Sequence, residues 1–396
     1  MSLSPNTDVV VTPEKPAAGG RMLARHEGQV VFVLGGIPGE RVRVHVERVT
    51  RQLGFAEVIE VLEPSPDRRS GNVDLACGGS LYAHIAYSRQ LLLKSALLAD
   101  AFARIAKITL SDAAAVMASR EDGYRLRARL HIRGGRAGFF REGTHDLCDA
   151  GMTRQLLPET LEALTRLEGD VPDFAQAVSC EVLENIAADQ RAIQIDFRQL
   201  PSAIHGEPKV TDRFAVTGSS ISLVHDVRSF FQGNRWLLPA FTERVVSHIP
   251  AGSVTDLYAG VGLFAISLAA MGRTDIVAVE GDRYSAADLE SNARPYGAAV
   301  AVVHAPVEQY LERQAVRAPA TLVLDPPRTG VSTEAMSGIL ALKPERLVYV
   351  SCDVATLARD ARRFVEAGYR MEHVEAFDLF PNTAHVETLA VFVKRH

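Results

Sequence analysis

The sequence predicts an α/β protein with a small β-barrel at its N-terminus and a mixed α+β middle region. Three observations lead to this fold class. From about Trp236 onward, short apolar strands alternate with helical stretches, which is typical of a parallel sheet covered on both faces. Residues 1–62 contain short strand-like segments separated by turn residues, a pattern typical of a small barrel. The length of 396 residues allows two or three domains.

Composition excludes several classes of protein. No apolar run approaches the ~18 residues needed to cross a bilayer, and the polar, proline-containing segment 1–16 does not resemble a signal peptide. Four cysteines do not make a disulfide scaffold, so a reducing compartment and a cytoplasmic location are expected. The net charge of −5 combines a mildly basic segment up to Gln155 with an acidic remainder. Such asymmetry is a weak indication of nucleic-acid contact.

The predicted barrel contains strands at Val30–Val33, Arg41–Val46 and Ala56–Val61. Strict alternation along the second strand places Arg41 and Arg43 on the face opposite its valines. These arginines are therefore candidate RNA contacts, although a merely solvated strand face explains them equally well.

The middle region begins after a proline-containing linker and contains a long helical stretch at Tyr82–Ile108. Alternation at Tyr124–Arg133 and the turn residues Gly134-Gly135 predict a hairpin. A further strand pair is expected at Val178–Leu183 and Ala192–Phe197. The densest basic patch of the chain includes Arg125, Arg127 and Arg129, which lie on the first strand of the predicted hairpin.

The C-terminal region contains five apolar segments that predict parallel strands, at Val254–Leu257, Ile276–Glu280, Val300–Val303, Leu322–Asp325 and Leu347–Ser351. Two further strands, Tyr369–Asp378 and His385–Val393, are joined by a short loop. Such a closing hairpin is unusual for a dinucleotide-binding dehydrogenase.

The first of these strands runs into a glycine-containing turn. Gly260 and Gly262 permit a tight bend, and Glu280 ends the next strand, where a carboxylate can accept hydrogen bonds from ribose hydroxyls. Spacing alone leaves NAD, S-adenosylmethionine and a ligand-free structural turn as alternatives. The rigid segment Asp325-Pro326-Pro327-Arg328 after a later strand favours a methyltransferase over a dehydrogenase, although a diproline can also form a plain loop.

Two residues are candidates for the chemistry. Cys352 ends the fifth strand, where ligands bind in open α/β sheets, and the start of the following helix is expected to favour its thiolate. A cysteine packed as a small core residue is the alternative. Glu387, just inside the last apolar strand, is a candidate general base, and Asp378 and His385 reach the same sheet edge.

Four segments, in this order, closely resemble the RNA 5-methyluridine methyltransferases, and residues 1–62 resemble the RNA-binding TRAM domain, including the turn Ile37–Glu40. The four segments are Phe230–Asn234, Asp325–Arg328, Val350–Asp360 and Phe380–Glu387. The resemblance implies a seven-stranded, Rossmann-like class I methyltransferase domain that uses S-adenosylmethionine.

The resemblance also assigns roles to residues. It implies that Cys352 attacks C6 of a uracil and that Glu387 removes the proton from C5, with the base unstacked from its RNA helix. Phe231 is either a stacking surface for RNA or a core residue. The resemblance implies an S-adenosylmethionine site lined by Gln232, Tyr258, Gly260, Gly262, Glu280 and Asp325.

The chain departs from the family at two points. Many relatives hold a four-iron–four-sulfur cluster with four cysteines, but Gly71 and Ser80 stand at two of these positions. No cluster is therefore expected, and Cys77 and Cys148 are interpreted as remnants or core residues. Val354 replaces a proline that usually follows the nucleophile loop.

The complete prediction is an enzyme with a TRAM-like barrel (1–62), a central domain (63–225) and a methyltransferase domain (226–396). It methylates RNA, with 23S rRNA favoured over tRNA, and no membrane or obligate protein partner is inferred. An RNA-binding protein with an inactive methyltransferase domain is disfavoured because Cys352 and Glu387 are both present. A nicotinamide oxidoreductase is disfavoured by Asp325–Arg328 and by the terminal hairpin.

Overall fold

The computed structural model describes residues 3–50, 53–71, 73–110, 114–168, 178–196, 203–312 and 317–395. These residues form four β-sheets with eight α-helices. None of the helices in these ranges is long and apolar enough to cross a membrane.

The N-terminal sheet has six strands in the order β1-β5-β6-β4-β3-β2. The alternation predicted for Arg41–Val46 is observed, since Val42, Val44 and Val46 are buried in the core of this sheet and Arg41 and Arg43 are exposed. The strand bounds are β1 Asp8–Val11, β2 Lys15–Pro16, β3 Met22–His26, β4 Gln29–Leu34, β5 Arg41–Thr50 and β6 Leu53–Glu63.

The predicted long helix is shorter than its apolar pattern suggested. Helix α1 spans Tyr87–Ala101, and a π-helical turn at Phe102–Ala106 ends at Lys107, which adopts a left-handed conformation. Residues 77–86 form turns instead of a first helical segment. The two-residue strand β7 (Val116–Met117) follows.

The middle sheet is antiparallel and has the order β10-β9-β8-β11-β12-β13. The predicted turn at Gly134-Gly135 joins β8 to β9, and both glycines have positive φ. Phe197, predicted to end a strand, lies outside the described residues. The bounds are β8 Arg127–Arg133, β9 Arg136–Phe140, β10 Leu147–Asp149, α2 Pro158–Glu168, β11 Val178–Glu184, β12 Arg191–Asp196 and β13 Ala203–His205.

A separate hairpin of β14 (Lys209–Val216) and β15 (Ser219–Asp226) precedes the C-terminal sheet and was not predicted. Its buried residues Ile221 and Leu223 pack in the same core cluster as the helices α3 and α4. These two helices span Leu238–Ser247 and Leu263–Ala270. The hairpin thus contributes to the core beneath the glycine turn.

The C-terminal sheet has the order β18-β17-β16-β19-β20-β22-β21-β7, and β22 runs antiparallel to both of its neighbours. After the central strand β16, the chain forms β17 and β18 on one side of it and then β19 on the other side. The remaining bounds are β16 Val254–Leu257, β17 Ile276–Glu280, α5 Arg283–Ala293, β18 Val300–His304, α6 Val307–Leu311, β19 Thr321–Leu324, α7 Thr333–Leu342, β20 Arg346–Ser351, α8 Val354–Glu366, β21 Tyr369–Phe377 and β22 Glu387–Lys394.

This architecture confirms the predicted fold class, with one extra strand. The seven expected strands of the C-terminal sheet are joined by β7, which pairs in parallel with β21. Leu98 and Phe102, at the end of α1, lie in one core cluster with Leu357 and Phe364 of α8. The division of the chain at residues 62 and 225 stays a prediction, because elements from both sides of residue 225 share this core.

Candidate active site

A cavity of about 650 Å³ opens at the carboxyl ends of the C-terminal strands. It lies where β16 and β19 run side by side and their connections leave in opposite directions, which is where ligands bind in open α/β sheets. Seven of the predicted catalytic and cofactor-binding residues line this one cavity, namely Gln232, Tyr258, Gly260, Glu280, Asp325, Cys352 and Glu387.

The glycine turn after β16 forms one wall of the cavity. Tyr258 and Gly260 both have positive φ, and a Cβ placed on Gly260 would meet no atom closer than the Phe230 carbonyl oxygen, 3.9 Å away. A Cβ on Gly262 would lie 2.7 Å from both Ile266 and Leu289. Gly262, predicted to bind the cofactor, does not line the cavity. It is the N-cap residue of α4 and allows that helix to pack closely.

Glu280 holds the turn in place from the end of β17. One carboxylate oxygen accepts the backbone N–H of Gly260 at 2.7 Å, and the other accepts that of Asp282 at 2.6 Å. Each carboxylate oxygen has a further lone pair. Glu280 can therefore bind ribose hydroxyls while it keeps the turn closed.

Asp325 follows β19 and is paired with Gln232, whose side-chain amide donates to it at 2.9 Å. Burial raises the pKa of Asp325 to about 7, against the lowering effect of the Gln232 hydrogen bond. The negative charge of Glu280 raises the pKa further. The cavity floor therefore carries a carboxyl group that titrates near neutrality.

Sequence reasoning missed a second buried carboxyl group, that of Asp256 in the middle of β16. It accepts the backbone N–H of Ala265 at 3.1 Å, and its other oxygen has no hydrogen-bond partner among the described residues. Burial and the nearby Asp325 raise the pKa of Asp256 to about 8. A carboxylate inside an otherwise apolar parallel strand was the available signal.

Cys352 lies between the end of β20 and the start of α8. Asp353 caps that helix by accepting the Thr356 N–H at 2.8 Å. Burial, reinforced by the negative charge of Glu387, raises the pKa of Cys352 to about 12. Burial thus opposes the thiolate that the helix start was expected to favour, and that expectation stays a prediction.

Glu387 is the first residue of β22 and is 2% exposed. Burial raises the pKa of its carboxyl group well above the ordinary value, and the negative charge of Asp325 raises it further. A carboxylate with a raised pKa is a stronger base, as general-base catalysis requires.

Arg328 is one of four arginines that line this cavity, and the sequence analysis gave it no role of its own. Its guanidinium group lowers the pKa of both Cys352 and Glu387. It lines the same cavity as these two groups. Its position directly after the rigid diproline was the feature of the sequence that could have indicated a role for Arg328.

The other two polar residues of the last loop have different surroundings from those expected. The carboxylate of Asp378 is fully buried in an ion pair with Lys94. Burial lowers the pKa of His385 to about 4, which keeps its imidazole neutral at pH 7. Neither residue is a solvated loop charge, and neither lines the cavity.

The predicted RNA-contacting arginines divide into two groups. Arg125 and Arg127 line the cavity, whereas Arg129 does not line it and forms an ion pair with Glu181. Arg127 also pairs with Glu181, at 3.1 Å. The basic patch is thus partly neutralised by the neighbouring strand β11.

On the N-terminal sheet, the arginines of β5 are paired with glutamates of β6. Arg41 lies 3.2 Å from Glu63, and Arg43 lies 2.8 Å from Glu60. Both pairs are exposed and each contributes little to stability. RNA would have to compete with these glutamates, so the RNA-binding assignment of Arg41 and Arg43 stays a prediction.

Of the two adjacent phenylalanines, only one is exposed. Phe231 is 4% exposed and its ring stacks on His225 with centroids 4.1 Å apart. Burial favours the core alternative for Phe231, which also lines the cavity, and its role as an RNA-stacking surface stays a prediction. Phe230 is 60% exposed and lines the cavity.

The residues present do not fit an iron–sulfur cluster. Cys77 and Cys148 are both buried, and their sulfur atoms form a disulfide bond, which the sequence analysis did not predict. Ser80 is also buried in this region. A cluster of this type needs four thiolates, and this pair offers two sulfur atoms that are already bonded to each other.

Two family profiles match the chain. The profile of the tRNA (Uracil-5-)-methyltransferase family matches residues 314–396, and that of the TRAM domain matches residues 7–59. The crystal structure of a Pyrococcus abyssi tRNA (uracil-54, C5)-methyltransferase in complex with S-adenosyl-L-homocysteine superposes with a TM-score of 0.76. It covers 97% of this chain and 100% of its own, at 21% identity.

Full-length relatives share more of the sequence. A 23S rRNA (uracil(1939)-C(5))-methyltransferase of Pseudomonas putida is 32% identical over 96% of this chain and 92% of its own length. An uncharacterized RNA methyltransferase of Corynebacterium glutamicum is 31% identical over 96% and 95% of the two chains.

The superposed crystal structure shows the same fold, and the family profiles with the full-length relatives define the class as S-adenosylmethionine-dependent RNA methyltransferases that carry a TRAM domain. Within that class, identity above 30% over nearly the whole chain is decisive. The protein belongs to the RNA uracil-C5 methyltransferase family.

Proposed function

We propose that this enzyme methylates C5 of a specific uridine in 23S rRNA through a covalent adduct between Cys352 and C6 of the base. The observation that carries the proposal is the presence of Cys352, Glu387, Asp325 and Arg328 in one cavity beside the glycine turn. The aligned relatives named as 23S rRNA methyltransferases support the choice of RNA. Ribosomal RNA as substrate places the enzyme in the cytoplasm.

The chemistry requires a nucleophile because C5 of uracil does not accept a methyl group unaided. The Cys352 thiolate adds to C6, and the electrons of the C5–C6 double bond move into the ring carbonyl, which makes C5 nucleophilic. Arg328 stabilises the thiolate before attack by its positive charge. S-adenosylmethionine, when bound, would supply an electrophilic methyl group, whose carbon would bond to C5 while its bond to sulfur breaks and S-adenosylhomocysteine leaves.

The adduct must then lose its C5 proton. The Glu387 carboxylate takes this proton, the C5–C6 double bond forms again, and the sulfur of Cys352 leaves C6 as thiolate. The proton count balances, since the enzyme gains the C5 proton and releases it to solvent before the next cycle. Gln232, Tyr258, Glu280 and Asp325 would hold the methyl donor, with Glu280 placed for the ribose hydroxyls.

Phe230 extends the proposed RNA site beyond the reacting groups. Its exposed ring on the cavity wall offers a stacking surface for an unpaired base. Arg125 and Arg127 line the same cavity and would contact the RNA backbone.

The test uses total RNA from a strain in which the gene for this protein is deleted. The purified enzyme is incubated with this RNA and S-adenosylmethionine labelled in its methyl group, and the labelled nucleotide is mapped. Label in one uridine of 23S rRNA is the expected result. Label in tRNA would favour the tRNA alternative, and absence of label from all RNA would support an RNA-binding protein with an inactive methyltransferase domain.

The raised pKa values predict a dependence on pH. Since the pKa of Cys352 lies near 12, its thiolate fraction grows about tenfold for each pH unit between 6.5 and 8.5. The raised pKa of Glu387 acts in the same direction on the later release of product, because its carboxylate fraction also grows with pH. Single-turnover methyl transfer should therefore accelerate across this range. A rate that is constant or falls between pH 6.5 and 8.5 would contradict a protonated resting thiol.

A further inference from the structure

The segment between β21 and β22, residues 378–386, is here termed the base loop because it leads directly into Glu387. We propose that helix α1 positions this loop through Lys94 and Gln90, and so sets the carboxylate of Glu387 for removal of the C5 proton. This inference rests on the role proposed above for Glu387. Lys94 and Gln90 are positioning residues, since neither lines the cavity.

Lys94 makes the first connection between the helix and the base loop. Its ammonium group donates to the Asp378 carboxylate and, at 3.0 Å, to the Phe380 carbonyl oxygen. The side chains of Lys94 and Asp378 are both 0% exposed. A single buried cation thus binds the first and third residues of the loop.

Gln90 makes the second connection one helical turn earlier. Its amide nitrogen donates to the Asn382 side-chain oxygen at 2.9 Å, and its amide oxygen accepts the Asn382 backbone N–H at 3.0 Å. Asn382 has a positive φ of 63°, a conformation that asparagine adopts more readily than most residues. The two helix residues are four positions apart and therefore share one face.

The base loop is connected directly, through the backbone, to the residue that carries the proposed catalytic carboxyl group, Glu387. Phe377 of β21 pairs with Glu387 of β22, so the base loop begins and ends at this one strand pair. In the described part of the chain, no hydrogen bond fixes the Glu387 carboxylate itself. Its position therefore depends on the backbone that the base loop closes.

A buried ion pair adds little net stability to a fold. Removing a lysine and an aspartate from water costs several kcal/mol, and well-packed apolar residues often replace such a pair without loss. An ion pair does hold two segments in one defined geometry. The Lys94–Asp378 pair holds the base loop in place, and a small displacement of Glu387 at the end of this loop would slow proton transfer.

The test compares Lys94→Met with two reference variants of the same protein. Lys15 forms an exposed ion pair with Asp100 of the same helix at 2.7 Å, so Lys15→Met is a matched control that also removes a lysine–aspartate pair. Glu387→Gln shows the behaviour of an enzyme without its base. The measurements are kcat, KM for S-adenosylmethionine, and the fraction of enzyme trapped as covalent RNA adduct during turnover.

Lys94→Met is expected to lower kcat by about tenfold to a hundredfold, because misplacement by about 1 Å can cost a hundredfold. KM for S-adenosylmethionine should change less than about twofold. The adduct should accumulate as in Glu387→Gln, while Lys15→Met behaves like wild type. A purely structural role would lower the amount of active enzyme without raising the adduct fraction.

A double variant keeps the test decisive if Lys94→Met folds poorly. Lys94→Met/Asp378→Leu removes both buried charges and should fold, while it still lacks the hydrogen bond to Phe380. Reduced kcat with excess adduct in this variant supports the proposal, and wild-type kcat overturns it. If Glu387→Gln traps adduct but neither Lys94 variant does, the positioning role is wrong. If Glu387→Gln traps none, the base assignment fails and the positioning role fails with it.

Discussion

Cys352→Ala is expected to abolish methyl transfer to RNA, with a rate loss of at least about 10⁴-fold. Without the sulfur, C5 of uracil lacks the electron density to attack a methyl group, and no other side chain in the cavity offers a comparable nucleophile. The loss should appear in single-turnover methyl transfer and in the absence of a protein–RNA adduct on denaturing gels. Binding of S-adenosylmethionine should persist, because the glycine turn and Glu280 are unchanged.

Cys180→Ala is the matched control for this variant. Burial raises the pKa of Cys180 to about 12, as it does for Cys352. Cys180 lies in the core of the middle sheet instead of the cavity. The control should therefore keep full activity with a modest loss of stability. Methyl transfer that survives in Cys352→Ala would refute the covalent mechanism.

Glu387→Gln is expected to form the adduct and methylate the base, but to release product at least about a hundredfold more slowly. The amide cannot accept the C5 proton, so the covalent intermediate cannot collapse. Enzyme and RNA should therefore accumulate as a covalent complex that carries the transferred methyl group. Labelled S-adenosylmethionine and denaturing electrophoresis detect both features of this complex.

Glu375→Gln provides the control for loss of a carboxylate. Glu375 lies on the adjacent strand β21 and forms an ion pair with Arg244 at 2.9 Å, away from the cavity. Its replacement should leave product release unchanged. Wild-type turnover of Glu387→Gln without excess adduct would show that another group removes the proton.

In the proposed mechanism, the Cys352 and Glu387 variants block different steps, one before and one after the covalent intermediate forms. Cys352 acts before the intermediate forms, and Glu387 acts after methyl transfer, so their losses differ in kind as well as in size. The Lys94 variants can be interpreted by the same comparison. A positioning defect in the base loop should resemble loss of Glu387 and not loss of Cys352.

Much of the C-terminal sheet could be predicted from the sequence. The bounds of β16 and β17 agree with the predicted strands at both ends. Strands buried on both faces need continuous apolar runs, and the residues that follow them must be turn formers. The positions of Cys352 and Glu387 at strand ends follow from the same pattern.

Contacts between distant segments could not be read from local pattern. The alternating arginines predicted a basic patch, yet Glu181 on β11 pairs with both Arg127 and Arg129 and cancels part of its charge. The register that brings these side chains together depends on a pairing of strands about 50 residues apart. The choice between RNA stacking and core packing for Phe231 likewise depended on β15, where His225 stacks on its ring.

The sequence by itself determined the class of fold and the position of the glycine turn, and it predicted the nucleophile and the base, because apolar periodicity and short motifs are local properties. Only the tertiary structure decided which pKa values are raised by burial and which distant side chains contact the loop that leads into Glu387. Burial of Cys352 and Glu387 raises both pKa values, and burial is a sum over segments far apart in the chain. The contact of Lys94 with Asp378 spans 284 residues, and no periodicity in either segment indicates it.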